Sequence, residues 1–257
     1  MPRRPQDGRA GIPARRGWNR RFALAYETFG ARRPRAGPLA RRFGLTLALL
    51  GVLSPASAEP AAPPPTTQEP LSDAVWQRMA GRSWHAKAGC PNRADLVLLR
   101  MPFHDFDGRE RIGQMIVGKA VAATVTKIFD EIYRTDFRIF SIRPVDDFEG
   151  DDQASMAANN SSAFNCRAMT GGTGLSAHAQ GLAIDINPVQ NPYVKGAKTE
   201  PASATGLDQP AERAAAKDIG LIRPDGPVVA IFKKHGWKWG GAWTSLKDYQ
   251  HFSSTGR

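Results

Sequence analysis

Cysteine is nearly absent from this chain: 257 residues include only Cys90 and Cys166. Neither has a histidine beside it in the local pattern of a papain-like thiol enzyme, so a cysteine nucleophile is disfavoured. Two cysteines fit an exported protein with one disulfide, and two independent thiols are the alternative. Long apolar runs are missing as well. The stretch Phe43–Leu53 is 11 residues, too short to span a bilayer comfortably. No internal repeat is evident, which removes the support for an extensin-like structural role. Basic excess is missing from most of the chain. Residues 1–58 hold 12 Arg against Asp7 and Glu27, a net of +10, while residues 59–257 hold 23 basic and 22 acidic residues. The pI near 10.1 therefore comes from the leader, and nucleic-acid binding loses its main support.

The leader has its own organisation. Arg41-Arg42 precedes the apolar run, and Ser54-Pro55-Ala56-Ser57-Ala58 follows it. A positive n-region, a short h-region and an Ala-x-Ala site predict a signal peptide cut after Ala58, with no stable membrane insertion afterwards. An uncleaved anchor is the alternative. Arg41-Arg42-Phe43 is too thin a pattern for twin-arginine export. The 38 residues ahead of Leu39 are rich in Arg, Gly and Pro, which leaves Met1 open as the start. Residues 59–71 form a Pro-rich stretch expected to be an extended linker. Residues 72–257 are expected to form one domain.

Within that domain the patterning is mixed. Ser72 to Arg82 reads as a short helix with Ser72 as N-cap, and Leu96–Met101 as a strand. Asp105-Phe106-Asp107-Gly108 reads as a turn. Met115 to Tyr133 gives the clearest helical spacing, through Ile116, Ala120, Ala123, Val125, Ile128, Phe129 and Ile132. Phe137 to Pro144 alternates as a half-buried strand ended by its proline. The acidic run Asp146, Asp147, Glu149, Asp151 and Asp152 reads as a solvated loop, and Asn159 to Arg167 as polar and irregular. Asn187 to about Pro210 is a long loop of the kind that forms a substrate wall. Gln209–Lys217 and Pro227–His235 read as helices, the second with a first-turn proline and Gly236 as its C-cap.

Five histidines are present: His85, His104, His178, His235 and His251. Only His178 and His251 have a carboxylate placed to complete a site. In Ala183-Ile184-Asp185-Ile186 one acid alternates with apolar residues, a strand pattern that would bury Asp185 among isoleucines. Such burial is costly unless the acid is paired, and a metal is one such partner. His178 stands in the loop just before, and Asp248 lies three residues before His251. Two imidazoles and a carboxylate suit a catalytic zinc with one coordination position left open. The alternative is that Asp185 caps a turn before Asn187-Pro188 and His178 is a surface loop residue.

The pattern Ser176-x-His178-x-x-Gly181-x-Ala183-x-Asp185, followed by Asp248-Tyr249-Gln250-His251-Phe252, resembles the zinc D-alanyl-D-alanine carboxypeptidase and L-alanyl-D-glutamate endopeptidase family, whose fold is shared with the hedgehog signalling domain. The similarity extends over about Gly113 to Phe252. The resemblance implies an α+β fold in which a small antiparallel sheet carries the zinc site, flanked by helices. It implies Zn2+ on His178, Asp185 and His251, Asp248 as general base, and Arg167 at the scissile carbonyl. Many relatives carry Glu at the Asp248 position and Trp at the Gln250 position, and the shorter Asp would reach a metal-bound water differently. Ser176, Asp152 (or its neighbour Asp151), Trp239 and Trp243 are expected at the substrate, and a Cys90–Cys166 bond would tie the Arg167 loop to the start of the domain.

The implied substrate is the stem peptide of peptidoglycan. The implied setting is the periplasm or exterior of a bacterial cell envelope, with a monomeric chain. D,D-carboxypeptidase action leads, and internal cleavage is the alternative. A non-catalytic zinc module, as in the hedgehog relatives, is the rival from another class. Asp248 argues against it, because a structural site needs no base.

Overall fold

A computed structural model describes residues 64–86, 89–169, 174–204, 206–217 and 219–256. The expected signal peptide lies outside them. The scaffold begins with β1 (Thr67–Pro70), α1 (Asp73–Met79), β2 (Leu96–His104), β3 (Glu110–Gly118) and α2 (Lys119–Tyr133). The first three strands form one antiparallel sheet in the order β1-β2-β3. In β2, Leu99 and Met101 pack toward α2, while Leu96 and Leu98 pack toward α1. Both faces of the sheet are therefore buried, which makes the run near-continuously apolar.

Two sequence expectations change here. The linker does not reach Leu71, because Thr67–Pro70 pairs with Val97–Arg100 as an edge strand. Pro70 is tolerated because an edge strand leaves one row of amides unpaired. Leu71 is buried against Met79 and Leu96, and Glu69 pairs with Arg100. The helix expected from Met115 starts only at Lys119. Met115, Ile116 and Val117 belong to β3, opposite Leu99, Leu98 and Val97. A short apolar run buried on both faces carries no period that separates helix from strand. From Lys119 the helical spacing holds, and Val125, Ile128, Phe129 and Ile132 enter the core. Ser72 caps α1 through its Oγ, which accepts from the Val75 amide.

The second half of the chain is built of short pieces. β4 (Ser141–Ile142) and β5 (Asn160–Ser161) form a two-residue parallel pair, with α3 (Asp152–Ala157) between them. The strand expected over Phe137–Pro144 is mostly absent, because its backbone bonds elsewhere. The Phe140 amide donates to Asn187 Oδ1, the Asn187 side chain donates to Arg138 O, and the Ile139 amide donates to His104 O. The acidic run becomes a 3-10 turn over Val145–Phe148 and the start of α3. Asn159–Arg167, expected to be irregular, is threaded through the interior, with Asn160, Ser161, Ala163 and Phe164 all buried.

β6 (Ala183–Asp185), β9 (Lys238–Trp239) and β11 (His251–Ser253) form an antiparallel sheet in the order β6-β11-β9. The expected long loop after Asn187 instead folds into a hairpin of β7 (Tyr193–Lys195) and β8 (Lys198–Glu200), to which β10 (Lys247–Asp248) adds in the order β10-β7-β8. Three-residue strands leave too little alternation to be read from the sequence. α4 (Pro210–Ala215) and α5 (Pro227–Lys234) each begin on a proline, and Gly236 follows α5 with φ +81°. The molecule is thus α+β with small antiparallel sheets. No helix among the described residues is long and apolar enough to cross a membrane.

Cys90 and Cys166 are joined in a disulfide. It closes a separation of 76 residues and anchors the residue before Arg167. Cys90→Ser is expected to lower stability by about 2–4 kcal/mol through loss of that loop constraint. Urea unfolding of the oxidised wild type and the variant checks it.

Candidate active site

The site is assembled by a turn and two adjacent strands. Ser176 Oγ accepts from the His178 amide and opens a 3-10 turn over Ala177–Gln180, and Gly181 closes the turn at φ +65°. Gly181 cannot carry a side chain there, since a Cβ would lie 2.2 Å from the Gly118 nitrogen. The Gly118 amide donates to Gly181 O at 3.0 Å. The end of β3 is thereby stapled to the turn that aims His178. Beyond the turn, β6 runs antiparallel to β11 with Asp185 directly opposite His251.

Three donor atoms converge from these elements. His178 Nε2 lies 3.2 Å from Asp185 Oδ2 and 3.1 Å from His251 Nδ1. His251 Nδ1 lies 3.1 Å from Asp185 Oδ1. His178 Nδ1 donates to Ala163 O at 2.6 Å, which leaves the Nε2 lone pair facing the cluster. All three residues are buried, at 3%, 7% and 5% exposure. Burial alone would raise the Asp185 pKa, but the His178 and His251 imidazoles hold it far below its ordinary value. Burial likewise opposes protonation of His178, and the Asp185 carboxylate overcomes it, so that pKa rises. The donor atoms lie within 4.8 Å of one another, and the cluster can hold a metal ion.

Asp248 arrives on β10, paired in register with Tyr193 of β7. Its approach depends on Gly240, where a Cβ would stand 2.7 Å from Asp248 O and 2.9 Å from its Cβ. Asp248 Oδ1 is closed off from water with no hydrogen-bond partner among the described residues. Burial pushes its pKa up to about 7, with His251 opposing and Asp185 adding to the rise.

A cleft of about 290 Å3 opens onto the cluster. Arg167 and Asp152 both line it, but they are bound to each other, with Nη2 to Oδ2 at 2.9 Å. Asp152 is therefore an anchor for Arg167 and not a free acid, while Arg167 Nε is buried without a partner among the described residues. Asp151 caps α3, its Oδ1 accepting from the Gln153 and Ala154 amides. Ser176 and Trp243 line the cleft, and Trp243 lies with its ring 5.4 Å from that of His251. Trp239 does not line it. Its indole donates to Tyr249 O at 2.8 Å and its ring packs on Phe252, because β9 turns that face inward. Tyr193, Lys195, Glu200, Met156 and Gln250 line the cleft without having been singled out. The β7–β8 hairpin places three of them, and only its tertiary pairing could have shown that.

The remaining histidines lie apart from the cluster. His104 stacks on Tyr133, His235 bonds Glu131 at 2.9 Å, and His85 is exposed.

Residues 170–254 match the model of a family described as D-alanyl-D-alanine carboxypeptidase. Over this segment the chain is similar to that family. The match takes in the cluster, Asp248 and the whole β7–β8 hairpin. Arg167, Asp152 and the β1-β2-β3 sheet fall outside the matched peptidase segment, which is narrower than the extent read from the sequence. No curated protein and no solved structure matches the chain at a significant level.

Proposed function

We propose that this chain is a zinc-dependent D,D-carboxypeptidase that trims the terminal D-alanine from peptidoglycan stem peptides. The observation that carries the reading is the convergence of His178, Asp185 and His251 on one point at the floor of an open cleft, with Asp248 beside it. The donor set fits zinc. Two neutral imidazole nitrogens and a carboxylate are a common catalytic ligand set, and the Ala163 carbonyl holds His178 in the tautomer that binding requires.

Zinc bound there supplies Lewis acidity and makes a water proton easier to remove. Asp248 takes that proton at its carboxylate and delivers it to the leaving amine. In the metal-free chain burial holds this carboxyl above its ordinary range, which favours it as a proton acceptor. Arg167, held by Asp152, offers fixed positive charge to the carbonyl oxygen as charge develops on it. Ser176 orders the His178 turn, and Trp243 walls the cleft. Export is part of the same proposal, resting on the Arg41–Ala58 pattern.

The test is incubation of the zinc-loaded protein with purified peptidoglycan and synthetic stem peptides, with products read by mass spectrometry. Loss of a single terminal alanine is expected. An internal cut would replace the carboxypeptidase with an endopeptidase. One zinc per chain with no cleavage of any stem peptide would replace the enzyme with a binding module.

A further inference from the structure

A cation that lines the cleft has no acidic partner among the described residues. Asp152 is paired with Arg167 at 2.9 Å, and Asp185 is held between its two imidazoles. Glu200 pairs with Lys198 at 2.7 Å and accepts from Gln153 Nε2 at 3.0 Å. Lys195 also lines the cleft, is exposed, and among the described residues has no acidic partner. The fold gives no structural reason for a cation there. In the hairpin register Lys195 stands opposite Lys198, and like charges directly opposite on a sheet cost stability.

Its position relates it to the reacting bond. Tyr193 pairs in register with Asp248, and Lys195 is two residues further along the same strand. Lys195 therefore shares a face with Tyr193, roughly 6–7 Å along from the Asp248 register. In a peptide that ends one residue past the scissile bond, the terminal carboxylate lies only about one residue step, near 4 Å, from the carbonyl that is cut. The long lysine stem bridges the difference. A peptide that continues further presents a neutral amide at that place, with nothing for an ammonium to pair with.

We propose that Lys195 receives the substrate's terminal α-carboxylate and so restricts the site to peptides ending one residue beyond the cut. This assignment rests on the peptidase reading and narrows it to exopeptidase action. The exposed position keeps the contact modest, and partial enclosure by the bound peptide strengthens it.

The experiment uses the full-length zinc-loaded chain and two matched stem pentapeptides, one ending in a free carboxylate and one in a carboxamide. Wild type is expected to favour the acid roughly tenfold or more in kcat/KM. Lys195→Met should bring the ratio near one, mainly through KM for the acid, and Lys195→Arg should keep most of the preference. The thermal midpoint of Lys195→Met should match or exceed wild type, because Lys198 loses its like-charged neighbour. A wild type without acid preference, or a Lys195→Met variant that retains it, overturns the assignment. Internal cleavage without acid preference also overturns it while leaving the peptidase intact. If neither peptide is cleaved, titration calorimetry of both against wild type and Lys195→Met decides separately. A carboxylate preference lost in the variant keeps Lys195 while the peptidase reading falls, and equal or no binding removes both.

Discussion

Asp248→Asn is expected to retain zinc yet lose about 10^2–10^4-fold in kcat, the range attributable to one positioned acid–base group. The amide fills the same space between Gly240 and Tyr193, so the β10–β7 pairing that places position 248 survives. It cannot accept and return a proton. Steady-state kinetics on a stem peptide, with zinc measured in the same samples, separates the two effects, and full turnover in this variant would remove Asp248 as the base. Stability should move the other way. Burial raises the Asp248 pKa from 3.8 to about 7 in the folded chain. Between those values the unfolded state has released its proton and the folded state has not. The folded state binds more protons there, so stability falls as pH rises from about 4 to 7. In metal-free protein at pH 8, Asp248→Asn should therefore be more stable by roughly 2–4 kcal/mol. Thermal melts of wild type and variant across pH 5–8, with zinc chelated, read both the sign and the window.

Removal of the carboxylate between the imidazoles should be more damaging. Asp185→Asn or His178→Ala is expected to abolish retention of zinc through dialysis and to leave no measurable turnover. Each loses one of three donors that stand about 3 Å apart. Zinc should raise the melting temperature of wild type in proportion to its binding free energy, and should leave that of either variant unmoved. Asp185 also contributes without metal. Its pKa is held down by His178 and His251 once burial is overcome. That contribution is present above pH 4 and lost as the pH falls below it. Metal-free Asp185→Asn should then be less stable than wild type at pH 7, the reverse of Asp248→Asn. A zinc-dependent rise in melting temperature that survives both substitutions would place the metal elsewhere.

The residues of the cluster were legible because each lies in a short, locally encoded unit. Ser176 to Asp185 combines a cap, a left-handed glycine and a strand start, and Asp248 to His251 spans one turn of chain. Local geometry suffices to aim such side chains once the two units meet. The boundary at Gly118 was not legible, because Met115–Val117 is apolar under both periods and only its pairing with β2 makes it a strand. The Asn187 segment hid its hairpin for a related reason, since three-residue strands are stabilised by β10 and by one another more than by their own propensity.

Relations between distant residues were beyond the sequence altogether. Asp152 and Arg167 were both placed near substrate, yet their mutual ion pair makes one the support of the other. Trp239 and Trp243 are equivalent as residues, but β9 buries one indole on Phe252 while the following turn leaves the other at the cleft. By itself the sequence determined which side chains can bind a metal and move a proton, because that chemistry resides in residue type and short spacing. The tertiary structure decided the pKa of Asp248, the partner of Arg167 and the isolation of Lys195, because burial and charge balance depend on what the rest of the chain brings alongside.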